Sequence, residues 1–205
     1  YTEAAINYAN HFGDHNVTGM VLFNQSDKTD AFAGDFISAI PYRYRSLVGR
    51  LTYDYKEKYL TEANFGYNGS ETFAPDHRYG FLPSFGVGYV VSKENFFENI
   101  RKAIQFLKFR FTYGITGNGD IGCRRFSYLS TVASTNIYSF GDNVDNNIGG
   151  LAVGDFAVDV SWEKAKKTDL GIDMKALDNA LTLNADLFQE IRTGIFLQRG
   201  DVPSY

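Results

Sequence analysis

The sequence predicts an all-β fold, made of antiparallel strands of a transmembrane β-barrel joined by long external loops. Three observations predict it. Apolar and polar side chains alternate with a period of two in one segment after another, so an extended chain carries one kind on each face. The segments run to about 9–13 residues, longer than the usual soluble strand of about 5–6 and close to the ~9–11 that cross a bilayer at a tilt. The connections alternate between short turns and long polar loops, the layout of an outer-membrane barrel with its turns on the periplasmic side and its loops outside.

The segments follow in order. Residues 4–12 alternate weakly, with Ile6, Tyr8 and Phe12 against Asn7 and His11. Residues 17–24, VTGMVLFN, are strand-like with no clear face. From 46 to 55, Leu47, Gly49, Leu51, Tyr53 and Tyr55 alternate with Ser46, Val48, Arg50, Thr52 and Asp54. From 59 to 70, Tyr59, Ala63, Phe65 and Tyr67 oppose Glu62, Asn64, Asn68 and Ser70. From 81 to 91, Phe81, Phe85, Val87, Tyr89 and Val91 alternate with small residues such as Ser84, Gly86 and Gly88. From 107 to 115, Leu107, Phe109, Phe111, Tyr113 and Ile115 oppose Lys108, Arg110, Thr112 and Gly114. Near the end, Leu170, Ile172 and Met174 oppose Asp169, Gly171 and Asp173, and Leu181, Leu183, Ala185 and Leu187 oppose Thr182, Asn184 and Asp186. These make about eight strands.

Short connections fall at 12–15, 56–57 and 176–180, and long ones at 26–43, 71–80 and 117–163. A medium one at 93–105 occupies a place where a short turn is expected. Its SKENFFENIRKAI sequence is expected to hold a helical turn. The loop segments NQSDKTD and GDNVDNNIGG are polar, as exposed loops are.

Composition narrows the function. With 14 Tyr and 18 Phe the chain is rich in strand-forming aromatics. A net charge of -4 and no long basic run point away from nucleic acid. Cys123 is the single cysteine, so no internal disulfide and no cysteine-based zinc site forms within the chain. The apolar stretch 79–92 is too short and too glycine-rich for a membrane helix. The chain starts at Tyr1, shows no signal peptide and ends at RGDVPSY, so it is expected to be a piece of a longer protein.

Several motifs invite chemistry. Gly117-Asn-Gly119-Asp-Ile-Gly122 spells G-x-G-x-x-G, but a dinucleotide turn needs an apolar strand before it and a helix after it. Here the strand carries Lys108, Arg110 and Thr112, and the following CRRFSYLSTVASTNIYSF has no helical stripe. The expected role is a turn leaving a strand. His11, Asp14 and His15 flank Gly13-Asp14, which reads as a hairpin turn rather than a metal site. His77 lies in a loop. Asp54, Glu62, Asp169, Asp173 and Asp186 lie on polar strand faces, as a solvated lumen explains. No nucleophile motif appears, so neither an enzyme nor a cofactor is expected. Tyr44, Tyr53, Tyr55, Tyr59, Tyr67, Tyr79 and Tyr89 are candidates for an interfacial girdle. The loop aromatics Tyr128, Tyr138 and Phe140 either stack on sugar rings or pack the loop, and packing is the commoner use.

Four segments in order resemble the SusC/RagA-type TonB-dependent outer-membrane transporters: GRLTYDYKEKYLTEANFGYNGSETFAP (49–75), GFLPSFGVGYVVSKENFF (80–97), LKFRFTYGITGN (107–118) and SWEKAKKTDLGIDMKALDNALTLNADLFQ (161–189). Asn68 and Tyr89 stand where the family usually shows Asp and Trp. The resemblance implies a partial barrel domain over 1–205, about eight strands of a larger plugged barrel, with the plug outside this chain. It also implies a cell outer membrane location in Bacteroidota and TonB-dependent import of oligosaccharide or peptide substrates. The implied partners are a SusD-like lipoprotein, the lipid bilayer, and TonB with ExbB and ExbD, the last through parts absent here. Within that frame Arg50 and Arg110 on the lumen face and Tyr128 and Tyr138 in an external loop are the candidate substrate contacts. Leu51, Phe65, Val87, Phe109 and Leu183 are expected to face lipid. The competing reading is a soluble β-sandwich glycan-binding module, with its apolar faces packed on each other. An isolated piece of barrel is expected to aggregate through its unpaired edges.

Overall fold

A computed structural model describes residues 1–34, 36–139 and 147–197, with backbone alone at 136–139 and 147–148. The strands are β1 (Thr2–Phe12), β2 (His15–Lys28), β3 (Tyr42–Tyr55), β4 (Tyr59–Ser70), β5 (Tyr79–Val90), β6 (Ile104–Asn118), β7 (Val132–Ser139), β8 (Asn147–Val153), β9 (Glu163–Ala176) and β10 (Leu181–Thr193). Eight of them form one antiparallel sheet in the order β1-β2-β3-β4-β5-β6-β9-β10. β7 and β8 pair with each other in a separate two-stranded sheet inside the long connection between β6 and β9. Sequential hairpins need only short-range closure, so a meander is the natural arrangement for such a chain.

Register carries the sequence alternation across the whole sheet. Tyr8, Gly19, Leu51, Ala63, Phe85, Tyr113, Thr168 and Gln189 lie in one row of paired residues. The next row, one residue along each strand and on the other face, is Asn7, Met20, Arg50, Asn64, Ser84, Gly114, Lys167 and Glu190. A one-residue slip anywhere would mix the two faces, so the hydrophobic pattern fixes the pairing. The face of β2, open in the sequence, is now assigned: Val17, Val21 and Phe23 share the apolar side with Leu51.

That apolar side is bare. Leu51 is 53% exposed, Phe109 43% and Leu183 46%. A β-sandwich needs a second sheet packed over this face, and side chains this exposed have none over them. The buried hydrophobic residues lie instead at strand ends and in connections: Phe73, Val90, Phe97, Val160, Trp162 and Ala176.

The apolar band ends in aromatic and polar rims. At the short-turn end, the rings of His15, Tyr55, Tyr59 and Tyr89 follow one another across β2 to β5, with centroids 4.7, 6.4 and 5.1 Å apart. At the long-loop end Tyr67 stacks on Tyr79 at 5.0 Å. Rings with an apolar body and a polar tip suit a boundary between hydrocarbon and water.

Three expectations need correction or completion. Tyr44 pairs with Ser26 and Ser70 and shares its strand face with Ser46 and Arg50, so it points inward and is not part of the girdle. The 117–163 connection holds the β7–β8 hairpin, where the sequence reading saw only loop. Its Ser, Thr and Asn residues blur any alternation. The connection expected at 93–105 runs from 91 to 103 and holds single 3₁₀ turns at Val91–Lys93 and Asn95–Phe97, with Phe97 itself buried. Short turns also occur at Phe36–Ala39 (helical) and Pro75–His77 (3₁₀) in the other loops.

Candidate functional site

The polar face of the sheet is a lattice of cross-strand pairs. Arg50 on β3 reaches Glu62 on β4 at 3.1 Å, and Asn64 donates to the same carboxylate at 2.9 Å. Asn16 donates to Asp54 at 2.9 Å, and the Ser46 hydroxyl donates to Asn68 at 2.5 Å. Arg50 and Glu62 are diagonal neighbours across the ladder, while Asn16 with Asp54 and Ser46 with Asn68 stand directly opposite, and both placements let polar side chains meet.

Arg110 is the most heavily engaged residue on this face. It lies within 3.7 Å of Asp169 and 3.3 Å of Asp173, both on β9, and also pairs with Asp186 on β10. To reach β10 its guanidinium crosses the whole width of β9. The residue it crosses is Gly171, directly paired with both Arg110 and Asp186. A Cβ at 171 would come within 2.6 Å of the guanidinium carbon and of an Asp186 oxygen. Glycine is therefore what opens the path, and Arg110 spans three strands because of it. A planar guanidinium spreads five donors across its width, so it serves three carboxylates on two strands at once.

Arg50 and Arg110 do not form one site. They stand three strands apart, and Arg50 is level with Gly114, four residues along β6 from Arg110. Tyr128 sits in the loop after β6, half-buried, its ring edge-on to Phe126 with centroids 6.1 Å apart. Tyr138 lies in β7 opposite Ile148, and its side chain lies outside the described residues. Phe140 also lies outside them.

Beyond the long-loop ends of the strands the connections pack into a unit of their own. Phe73 is fully buried, and its ring is tilted against that of Trp162 at 5.3 Å. Val160 completes this core, with Ile121, Cys123 and Phe196 packed around it. The indole lies across three glycines: a Cβ at Gly80, Gly117 or Gly119 would meet the ring within about 3.2 Å. This explains the glycine-rich motif. Gly117 and Gly119 give the Trp162 ring its seat, and Gly122 takes a left-handed φ of +71° in the turn beyond. Asn118 closes the first bend by accepting from the Asp120 N–H at 3.0 Å.

Arg125 ties the loops together. It donates to the carbonyls of Ile37 (2.9 Å), Ile40 (2.6 Å) and Pro41 (2.7 Å) and pairs with Glu71. Its guanidinium also lies 3.9 Å from the centre of the Tyr42 ring. The arginine side chain is 10% exposed and the Glu71 side chain 18%, so both charges are largely desolvated and depend on each other. Sequence reasoning missed this residue. Only the adjacent basic pair Arg124-Arg125 in a loop marks it, and such pairs are usually solvated.

The short-turn end has a smaller cluster. Glu94 accepts from Lys58 at 3.1 Å and from the Tyr59 hydroxyl at 3.0 Å, pinning the 91–103 connection to the β3–β4 turn. The Lys58 ammonium, and after it the Tyr59 hydroxyl, hold the Glu94 carboxyl below the ordinary glutamate range. His11 and His15 bond to Asn16 and Tyr53.

No protein-family model matches the chain. Its sequence is 29% identical over 229 aligned positions, 100% of the chain, to TonB-dependent receptor P3 of Formosa agariphila. It is 32% identical over 144 positions, 69% of the chain, to TonB-dependent receptor SusC of Bacteroides thetaiotaomicron. The chain spans 22% of the first relative's length and 14% of the second's. Its fold aligns with the structure of the RagAB peptide transporter at a TM-score of 0.72 and 18% identity, over 99% of this chain and 24% of that one. An eight-strand meander with one bare apolar face, four sequence motifs in order and these likenesses agree: the chain belongs to the SusC/RagA-type TonB-dependent receptors and is a stretch of their β-barrel.

Proposed function

We propose that this chain forms part of the wall of an outer-membrane importer. The importer takes up glycan oligomers or peptides by a TonB-dependent route and works with a SusD-like lipoprotein. One observation carries the reading: the same eight strands present a bare apolar band on one side and a lattice of paired charges on the other. Hydrocarbon outside and a watery passage inside ask for that arrangement. The likeness to SusC and to the RagAB peptide transporter supports it. The plug and the remaining strands belong to the rest of a longer protein.

The work is passage, not bond chemistry. Arg50, only singly paired, and Tyr128 and Tyr138 in the outer loop contact the substrate. Arg110 contacts it together with the three aspartates it holds in place. Glycan hydroxyls and peptide amides both bond to such groups, so the wall offers many weak contacts and no deep trap.

The test compares two neighbours in the full receptor. Leu51→Arg places a charge near mid-bilayer, at a cost of about 2–4 kcal/mol, while Arg50→Leu alters only the passage. The expected result is a strong loss of folded receptor in the outer membrane for Leu51→Arg and near-normal amounts, with altered uptake, for Arg50→Leu. Equal folded amounts for the two variants would overturn the reading.

A further inference from the structure

The apolar face is not evenly covered. A groove crosses β1 to β4 at the level of Gly19, walled by Ile6, Tyr8, Val21, Leu51 and Phe65. Gly19 is its open floor: a Cβ built there would meet nothing closer than the Arg50 carbonyl oxygen at 3.9 Å and a Leu51 methyl at 4.0 Å. Leu51 lies midway between Leu47 and Tyr55, the ends of the apolar run on β3, so the groove sits near the middle of the band.

The same face of β3 turns basic toward the long loops, at Arg45 and then Arg43. Arg43 is neutralised by Asp27 at 3.3 Å. Arg45 has only the neutral amide of Gln25, at 3.0 Å, and no carboxylate within ion-pair distance among the described residues. Leu51 and Arg45 are six residues apart, about 20 Å along a strand. At a tilt of about 40° this is roughly 15 Å of depth, half of the ~30 Å hydrocarbon core. A lipid of one leaflet has these dimensions, with its tail ending at the midplane and its charged head at the surface.

We infer that this face holds one phosphate-bearing lipid of the outer leaflet, with an acyl chain in the Gly19 groove and its phosphate on Arg45. The inference rests on the membrane reading above. Arg45 supplies a charge-assisted bond to the phosphate, and Gln25 holds the guanidinium in place. The groove takes a tail that a smooth wall would leave mobile.

The experiment uses the full receptor, released in detergent and titrated with phosphatidic acid or with diacylglycerol of the same chains, bound lipids being counted by native mass spectrometry. Wild-type receptor should bind phosphatidic acid in preference to diacylglycerol. Arg45→Gln should weaken phosphatidic acid about five-fold, the effect of one basic group at an anionic lipid surface, while leaving diacylglycerol unchanged. Arg45→Lys should recover part of the preference. Gly19→Phe, which fills the open groove, should weaken both lipids. Inorganic phosphate should not displace phosphatidic acid. Unchanged binding in either Arg45→Gln or Gly19→Phe, or displacement by inorganic phosphate, overturns the lipid site. The membrane reading fails separately, if the wild-type receptor does not fractionate with the outer membrane at all.

Discussion

Arg110 and Arg125 hold two different parts of the molecule, and they do it differently. Arg110 lies on the strand wall, where register sets the position of every partner in advance. Its three aspartates stand on neighbouring strands, and the backbone ladder would keep them there without it. Arg125 lies among loops that have no ladder between them. Its donors take up carbonyls of the 36–41 segment and the Glu71 carboxylate, so the side chain itself replaces secondary structure. The wall should therefore tolerate the loss of a charge, and the loop unit should not.

Trp162→Ala is expected to have the largest effect, about 3–5 kcal/mol lost from the loop core. Loop proteolysis should rise steeply while hydrogen exchange in β3–β5 stays slow. If the strands loosened equally, the two regions would be one cooperative unit. Arg125→Ala comes next at about 3 kcal/mol, because it leaves Glu71 buried without its partner. Exchange should rise together in 36–41, 71–78 and 124–129. Arg125→Lys should restore little, since an ammonium cannot reach the same acceptors. Protection returning in full with lysine would reduce the clamp to a simple ion pair.

Gly171→Val should cost about 1–3 kcal/mol by driving a side chain into the Arg110 guanidinium. The loss should shrink when Arg110→Ala is added, as a double-mutant cycle on thermal unfolding would show. Strictly additive effects would remove the steric argument. The smallest effect is expected at Glu94. Its carboxyl is depressed in the folded protein, so its bonds to Lys58 and Tyr59 are fully present above the ordinary glutamate range. They are lost as the pH falls through the depressed value. Protease cleavage in 91–103 should rise on acidification below the ordinary glutamate range, and Glu94→Gln should flatten that dependence. A variant with the wild-type pH profile would point to another group.

Much of the wall was legible in the sequence, for a physical reason. A period of two is enough to decide which side chains share a face, and one face had to be apolar across the hydrocarbon band. Leu51, Phe109 and Leu183 fell where the alternation put them. Tyr44 did not, because beyond the band the alternation weakens and an aromatic ring no longer reports its side. The loop unit was hardly legible at all. Nothing local links Phe73 to Trp162 or Arg125 to Glu71, which are brought together only when strands far apart in sequence pair. The glycine-rich motif shows the difference well. Its spelling was visible, but its use as a seat for an indole 43 residues further along, from Gly119 to Trp162, depends on the β6–β9 pairing.

The chemistry of residues one or two positions apart was enough to place most strands of the wall and to sort their faces, though not the side of β2 or the β7–β8 hairpin. The tertiary structure decided which charges meet, where glycine lets a side chain cross a strand, and how the outer loops lock together. Those depend on distances between residues that the chain alone leaves free.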